Sequence, residues 1–474
     1  MVRVVNTFEK NYWDLYFDFL DCFSSLLFDG YPIAMLSHFY GLMKDNRTIT
    51  AKLQSSQLRK ALQNDLDKEI SFQHKYDKYL TKLPKRKPGS KNQNGKKVVL
   101  HDFRLRVPDH ILQRNFNPAA TLLLKRNTKN IKKNLVKHSI PLKGLDSYLP
   151  ASQHSFKSYQ MKAQHLFSSM GYHPVFSHKE FQNRFIIEIP SIGKYIQASR
   201  VFFESVPVSC LVIGDTNTPE SRAMSLEAFR RGVPCICLQH GVIGGSFGFL
   251  PKTASIMAVH GPYELEWYRK KGVPESAVKI TGHPRFDEIT KRKMMTRRVF
   301  EKTYPFNQSR KVVLLPIHHE EIQFTRKLVE ALVATGRLNI IMKTKVDTPE
   351  TEKMFKDFPE IRKANKYNHL YDLIYHADAV ICYKSTVALE TLLFNKPLFI
   401  WEQPLLCSMD YFDPFSNFIE NDPVRLTNKV TKYLYPAAKK DHEKLRELIL
   451  PELYTDEKGI AGKRLAQLVR SISS

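Results

Sequence analysis

The chain of 474 residues predicts an α/β fold: two Rossmann-like domains with a cleft between them, plus a helical N-terminal extension. Three observations predict it. From Val98 onward, short β-rich runs alternate with amphipathic helical ones, the pattern of a parallel, doubly wound sheet. The length sets a prior of two or three domains, with ample chain to bury real cores. Buried strands hand over to polar, glycine-punctuated segments at Leu238-Gln239-His240-Gly241 and at Thr281-Gly282-His283-Pro284-Arg285-Phe286-Asp287, and another strand leads into Ser385-Thr386-Val387-Ala388-Leu389-Glu390. Ligands of open α/β sheets bind at the carboxyl ends of the strands. Three such ends suggest one shared cleft for a phosphorylated, sugar-like substrate.

The elements follow in order. Residues 1–82 read as a helical N-terminal region without strand alternation. Within it, Trp13, Leu15, Tyr16, Phe19, Leu20, Phe23, Leu26 and Leu27 recur at about helical spacing. Asp14, Asp18, Asp21 and Asp29 interrupt residues 12–43, which excludes a comfortable membrane span. Two readings remain for that stretch: a helix packed on the body of the protein, or an interfacial membrane helix. Residues 83–97 form a basic linker rich in Pro, Gly and Asn. Residues 98–305 form an N-terminal Rossmann-like domain, and residues 306–474 a C-terminal one with terminal helices.

In the first of these domains, residues 209–213 form a buried strand. The turn Gly214-Asp215-Thr216-Asn217 follows, then Thr218 as N-cap and Pro219 at the first helical position. That helix stops at Gly232. Residues 234–238 form the next strand, and Gly244, Gly245 and Gly248 mark a loop able to approach a ligand closely. Residues 254–259 and 278–280 are strands, with a short helix over 263–271. Residues 291–311 are polar and basic and read as the interdomain connection. Beyond them, strands are expected at 312–317, 339–342, 379–382 and 398–401, and helices at 322–334 and 387–394.

Composition bounds the function. A hydrophobic content of 42% is that of a globular chain. The six cysteines show no metal spacing. Cys235 and Cys237 point to the same face of a strand, so the set reads as buried thiols in a reducing compartment. No signal peptide is visible, and the expected location is the cytoplasm, peripheral on the inner face of the cell membrane. The net charge is +26, from 73 basic and 47 acidic residues. Residues 81–150 concentrate it, with 17 basic residues against Asp102, Asp109 and Asp146. Such a surface attracts phosphate-rich partners: an anionic membrane or a phosphorylated glycan. Nucleic acid is the least supported, because no recognition motif accompanies the charge. A solvated basic face is the bland alternative.

A strand ending in Gln239-His240-Gly241, the Thr281 to Asp287 segment, and Ser385-Thr386 with Glu390 ahead of Lys396-Pro397 together resemble GT-B glycosyltransferases of bacterial capsule and surface-polysaccharide synthesis. The CDP-glycerol glycerophosphotransferases are relatives, and the nucleotide-sugar 2-epimerases share the architecture. The resemblance covers roughly residues 200–402; the first 97 residues match nothing nameable. It implies a donor nucleotide on the C-terminal domain and an acceptor on the N-terminal one, with no cofactor. Ser385 and Thr386 would contact the donor phosphates. Their place at the start of a helix supports this independently, since free N–H groups and the dipole favour an anion there; an ordinary helix cap is the alternative. Glu390 resembles the residue that bonds the ribose hydroxyls, or is an exposed helix carboxylate. His283 and Arg285 lie on the donor side of the family pattern, although Arg285 and Asp287 could simply brace the turn.

His240 resembles the histidine that takes the acceptor hydroxyl proton, and imidazole titrates in the right range. Alternatively it hydrogen-bonds the glycine loop. Asp215 is the other candidate base, or it stabilises the turn before the helix. Gln239, Gly241, Gly244 and Gly245 fall on the acceptor side. Two departures stand out. Relatives carry Lys-x-His-Pro after the second strand of the C-terminal domain; here Lys343-Thr344-Lys345 stands there, and either Lys343 or Lys345 holds phosphate as a point charge or both are exposed strand-end lysines. His318-His319-Glu320-Glu321 is similar to an epimerase stretch, yet the epimerases place a catalytic Glu where this chain has Gln239-His240-Gly241. A metal site at 318–321 lacks a helical His pair, and no metal is expected. The leading function is glycosyl transfer from a nucleotide-sugar to a cell-surface glycan. Polyol-phosphate transfer from a CDP-polyol, 2-epimerisation and a non-catalytic peripheral scaffold follow.

Overall fold

The computed structural model describes residues 6–66, 71–87, 96–130, 139–150, 155–318, 322–403, 410–435, 440–455 and 457–473. Two compact units emerge: Met1–Arg285 with Ile460–Ser474, and Phe286–Leu405 with Met409–Gly459.

The first unit begins with the helix Thr7–Cys22, buried on nearly every side. A helix apolar all round belongs in an interior, and its acids do not contradict that, because each is used. Asp18 accepts from the backbone N–H groups of Gln63 (2.9 Å) and Asn64 (2.8 Å), and Asp14 from that of Leu66 (2.7 Å). Burial pushes the Asp14 carboxyl up to about 6. The interfacial membrane expectation for residues 12–43 therefore fails: Tyr12, Trp13, Leu15, Tyr16, Phe19 and Phe23 are all buried by protein. Nor is this region free of strands. A small antiparallel hairpin pairs β1 (Leu27–Phe28) with β2 (Tyr31–Pro32). Its two-residue turn, Asp29-Gly30, has φ of 53° and 78°, the left-handed pair that a tight hairpin requires and that Asp-Gly favours.

Seven parallel strands follow: β3 (Lys97–His101), β4 (Thr121–Lys125), β5 (Leu142–Gly144), β6 (Val208–Ile213), β7 (Cys235–Leu238), β8 (Ile256–Val259) and β9 (Val278–Ile280). They lie in the spatial order β5-β4-β3-β6-β7-β8-β9. Alternation along the strands decides which layer covers which face. Val99, Leu211, Ile213, Cys235 and Cys237 face a core shared with the N-terminal helices and the long helix Lys179–Ser205. Leu100, Cys210, Val212, Ile236 and Leu238 face a second core closed by Leu465, Ala466 and Val469 of the last helix, Ala461–Ser473. The N-terminal region thus supplies a large share of the first unit's main core.

The second unit holds β10 (Lys311–Ile317), β11 (Leu338–Thr344), β12 (Arg362–Ala364), β13 (Ala379–Cys382), β14 (Leu398–Trp401) and β15 (Ile419–Glu420), all parallel, in the order β12-β11-β10-β13-β14-β15. β11 runs two residues beyond the expected 339–342, so Lys343 is inside the strand, opposite Pro316 and Ala364. The stretch 291–311 contains the helix Arg297–Thr303, and the units divide between Arg285 and Phe286. In both sheets the chain reverses its direction of travel between the first and fourth strands laid down: β3 beside β6, and β10 beside β13. Such a switch point opens a crevice at the carboxyl ends of the strands.

Candidate functional site

At the first unit's switch point, β3 runs into Asp102-Phe103-Arg104-Leu105-Arg106 and β6 into Gly214-Asp215. Arg104 and Arg106 are both exposed, with positive φ of 58° and 52°, while Leu105 between them is buried. Left-handed backbone at a non-glycine costs on the order of 1–3 kcal/mol per residue, and surrounding packing must impose it. That packing is visible. A side chain on Gly214 would stand 2.3 Å from the Arg104 carbonyl carbon and 2.5 Å from the Leu105 nitrogen. The Arg126 guanidinium lies 3.9 Å from the centre of the Phe103 ring, and the buried pair His101–Glu220, joined by the half-exposed Arg126, holds the base of the loop.

His240 follows β7. Its Nδ1 lies 3.1 Å from the Gly214 carbonyl oxygen, a partner that can only accept, so Nδ1 carries the proton and Nε2 keeps its lone pair. The ring stacks on Phe249, 5.3 Å between centres and 12° between planes. Burial holds the imidazole down to about 4; Asp215 opposes that shift, and Arg104 and Arg106 add to it. Arg106 also donates to the His240 carbonyl at 3.2 Å. Asp215 is engaged in the turn. Its Oδ1 accepts from the N–H groups of Asn217 and Thr218 and from the Thr218 hydroxyl, all at 3.0 Å, and Oδ2 faces Arg104 at 3.7 Å. This Asx arrangement starts the helix Pro219–Arg230.

Gln239 is buried, and its amide donates to the Gly241 carbonyl (2.9 Å) and to Glu264 (3.2 Å). It braces the turn from beneath. His260 Nε2 meets the Gln239 carbonyl at 3.2 Å. His283 is fully buried, and its Nδ1 accepts from the Arg285 N–H at 3.1 Å. Burial lowers both imidazoles, with the Arg285 charge adding to it: His260 to about 3 and His283 far below its ordinary value. Gly244 and Gly248 have open space where a side chain would stand.

In the second unit, β13 leads into Tyr383-Lys384-Ser385, and Ser385 is the N-cap of the helix Thr386–Leu393. Its side chain makes no capping bond; the Ala388 N–H donates to the Ser385 carbonyl at 3.0 Å, and the dipole of such a helix start favours an anion. Glu390 is buried and accepts from the Tyr371 hydroxyl at 3.1 Å; it is not an exposed helix carboxylate. Lys343 donates to the Asn365 carbonyl at 2.9 Å, and burial lowers its ammonium. Lys345 is exposed just past the end of β11.

No family model matches the chain. Over 216 residues it is 25% identical to UDP-N,N'-diacetylbacillosamine 2-epimerase (hydrolyzing) of Legionella pneumophila, across 42% of this chain and 56% of that relative. The match thus spans little more than half the relative's length. Among solved structures, the UDP-GlcNAc 2-epimerase of Neisseria meningitidis bound to UDP-GlcNAc superposes with a TM-score of 0.52 at 13% identity, covering 79% of this chain and all (100%) of that one. The HepE protein of Anabaena, in complex with UDP and glucose, gives a TM-score of 0.51 at 11% identity, over 80% and 100%. The chain has the GT-B fold.

The GT-B frame sorts the expected residues. Asp215, Gln239, His240, Gly241, Gly244, Gly245, His283 and Arg285 belong to the first unit; Lys343, Lys345, Ser385, Thr386 and Glu390 belong to the second. Within the first, the structure gathers His240 and Asp215 around Gly214 and withdraws Gln239 and His283 into bracing roles. Sequence reading missed Arg104, Arg106 and His260. A signal existed: a basic pair directly after the apolar run Val98-Val99-Leu100. The charge of residues 81–150 is also partly internal. Arg86 pairs with Asp29, Lys125 with Asp102 and Arg126 with Glu220. His319, Glu320, Glu321 and Cys407 lie outside the described residues. Among the described ones, no three His, Cys, Asp or Glu side chains are grouped to hold a metal, and no helix is long and apolar enough to cross a membrane.

Proposed function

We propose that this chain is a glycosyltransferase moving a sugar from a nucleotide-sugar donor to a cell-surface glycan acceptor, phosphorylated or lipid-linked. The observation that carries the reading is the tautomer of His240. With Nδ1–H committed to the Gly214 carbonyl, a neutral ring offers Nε2 to an incoming hydroxyl. The acceptor oxygen forms a bond to the anomeric carbon and its proton passes to Nε2. The bond from that carbon to the phosphate oxygen breaks, and its electron pair leaves with the nucleoside diphosphate. Arg104 and Arg106 put positive charge on the same strand edge as His240, and Arg106 donates to the His240 carbonyl at 3.2 Å. The nucleotide is proposed to bind the second unit, its phosphates at Ser385, Thr386, Lys343 and Lys345 and its ribose at Glu390. Asp215, with Oδ1 committed to three donors, acts as the anchor of the turn rather than the base.

The 25% match to a 2-epimerase favours a second reading, in which the same site isomerises a nucleotide-sugar. Incubation of the full chain with UDP-, GDP- and CDP-sugars and CDP-glycerol separates the cases. Release of nucleoside diphosphate only when a glycan acceptor is added supports sugar transfer, release of CMP supports polyol-phosphate transfer, and diphosphate released together with a free 2-epimerised sugar in the absence of acceptor supports a hydrolysing epimerase. Isomerisation of the donor without acceptor supports the epimerase. A thermal-shift panel of the nucleotides identifies the base first, since a ligand at about 100 times its Kd stabilises by roughly 2.7 kcal/mol. No shift with any nucleotide would remove both readings.

A further inference from the structure

The N-terminal region has no part in the chemistry just described, yet it touches the candidate site at three places. The first is the glycine loop after His240. The Trp13 indole N–H donates to the Ser246 hydroxyl at 2.8 Å. The Phe247 ring stacks flat on Tyr40, 4.5 Å between centres and 6° between planes, with Tyr12 at 5.6 Å and Phe8 at 6.4 Å. The second is the turn after Asp215. The buried Arg222 donates to the carbonyls of Met35 (3.2 Å) and Ser37 (2.8 Å) and, through Nε, to that of Thr216 (2.8 Å). It clips the N-terminal chain to the Asp215 turn. Asn217 closes the circuit by donating to the Phe247 carbonyl at 3.0 Å. The third is His38, whose N–H donates to Glu188 at 3.1 Å and whose imidazole feels the charges of Arg222, Arg104 and Asp215.

These contacts have one target. A loop with Gly244, Gly245 and Gly248 has many backbone states available, and only three residues separate Gly245 from Phe249, the ring on which His240 stacks. Aromatic packing of this kind is worth on the order of 0.5–1.5 kcal/mol per pair beyond burial, enough to select one loop conformation. We infer that the N-terminal region is a positioning element: by caging Phe247 and Ser246 it holds the Gly241–Phe249 loop closed over His240 and so sets which acceptor can reach that histidine.

The inference rests on the proposed role of His240, but its test does not need turnover. Histidine-labelled full-length protein reports the His240 ring by NMR as pH is lowered. The charged and titratable groups that face that ring are Asp215, Arg104, Arg106, His260 and His283, and none of them is altered. In the native chain the ring stays neutral down to about 4. In Phe247→Ala and Tyr40→Ala the loop opens, water reaches the ring, and the midpoint rises by about one unit or more, roughly tenfold in proton affinity. Tyr40→Phe keeps the stacked ring and leaves the midpoint unchanged. Affinity for the nucleotide found in the thermal-shift panel is the same in all three. If either alanine variant fails to fold, Trp13→Phe removes the bond to Ser246 while keeping a ring among Tyr12, Tyr16 and Phe72, and amide exchange at Gly244, Gly245 and Gly248 should quicken about tenfold. An unmoved His240 midpoint in a folded alanine variant, or unchanged loop exchange in Trp13→Phe, overturns the inference. Failure of the base assignment would show separately, as surviving turnover in His240→Ala.

Discussion

The two sheets share a strand order but prepare their carboxyl edges in opposite ways. The first unit's edge is heavily built. It carries two arginines on left-handed backbone, a histidine locked in one tautomer, buried histidines beneath, and a layer of N-terminal aromatic residues fixing the loop beside them. Among the described residues, the second unit's edge carries a helix start whose serine makes no capping bond, a buried glutamate behind it, and Lys343 and Lys384 held by neighbouring groups. The difference matches the work each is proposed to do. Proton transfer needs one group held within hydrogen-bond reach of a hydroxyl. Holding a phosphate needs only free N–H groups and a dipole, which any well-placed helix N-terminus supplies.

Removing the imidazole from the built edge is the largest expected effect. His240→Ala should lower turnover by ~10²–10⁴-fold while nucleotide affinity stays unchanged, as measured by initial rates alongside calorimetry. Activity that survives would move the catalytic role off this edge. Loss of nucleotide binding would mean the two edges are not independent.

Acid should break the same asymmetry. His38, His173, His240, His260 and His283 of the first unit all titrate below the ordinary imidazole value because they are buried; in the second unit His442 falls to about 4, and burial also lowers the less deeply buried His369 and His376. Their folded pKa values are depressed, so below about pH 6.5 the unfolded chain binds the extra protons and stability falls as pH falls. It is full above that value and lost on the way down to about 4. Between pH 7 and pH 5 each such group costs roughly 1–2 kcal/mol. Hydrogen exchange followed at pH 7, 6 and 5 should show the first unit's sheet losing protection before the second's. Equal losses would mean the buried histidines do not set the acid limit.

How much of this was legible in the sequence depended on whether a signal was local. β6, the Asp215 turn, the start of the helix Pro219–Arg230, β13 and the helix after it announce themselves through apolar runs, a cap and a proline at the first helical position. The roles of Gln239 and His283 were not legible, because nothing in Gln-His-Gly or Gly-His-Pro says which ring or amide turns inward; Glu264 decides it for Gln239 from elsewhere in the chain, and the folded turn brings the Arg285 N–H onto the His283 ring. The two arginines were hidden for another reason: their conformation is imposed by Gly214, more than a hundred residues later. The N-terminal helix gave a clear helical period, yet its acids spoke only against a membrane span and did not say what they bind. They are buried because Gln63, Asn64 and Leu66 bring backbone N–H groups to meet them.

A smaller and more selective change tests whether the arginine loop depends on Gly214. In Gly214→Ala the new carbon would meet the Arg104 carbonyl carbon at 2.3 Å, and backbone has no rotamer by which to escape. The loop must shift, at about 1–3 kcal/mol of stability, measured by urea denaturation. Arg104 and Arg106 move with it, so turnover should drop further than stability alone explains. An Ala variant with native stability and turnover would show that the close approach is relieved elsewhere.

The smallest effect is expected on the plain edge, and that is what makes it informative. Thr386 opens the helix Thr386–Leu393 directly after Ser385. Thr386→Leu keeps the helix and its dipole and removes only the hydroxyl, while adding bulk where a phosphate would lie. A site built mostly from backbone N–H groups loses little by that change, about tenfold in nucleotide affinity, or ~1.4 kcal/mol. Calorimetry with the nucleotide chosen by thermal shift reads it directly. A loss of a thousandfold would mean that side chains, not the helix start, carry the phosphate. Unchanged affinity would place the nucleotide elsewhere on the second unit, with Lys343 and Lys345 at the end of β11 next to be tested.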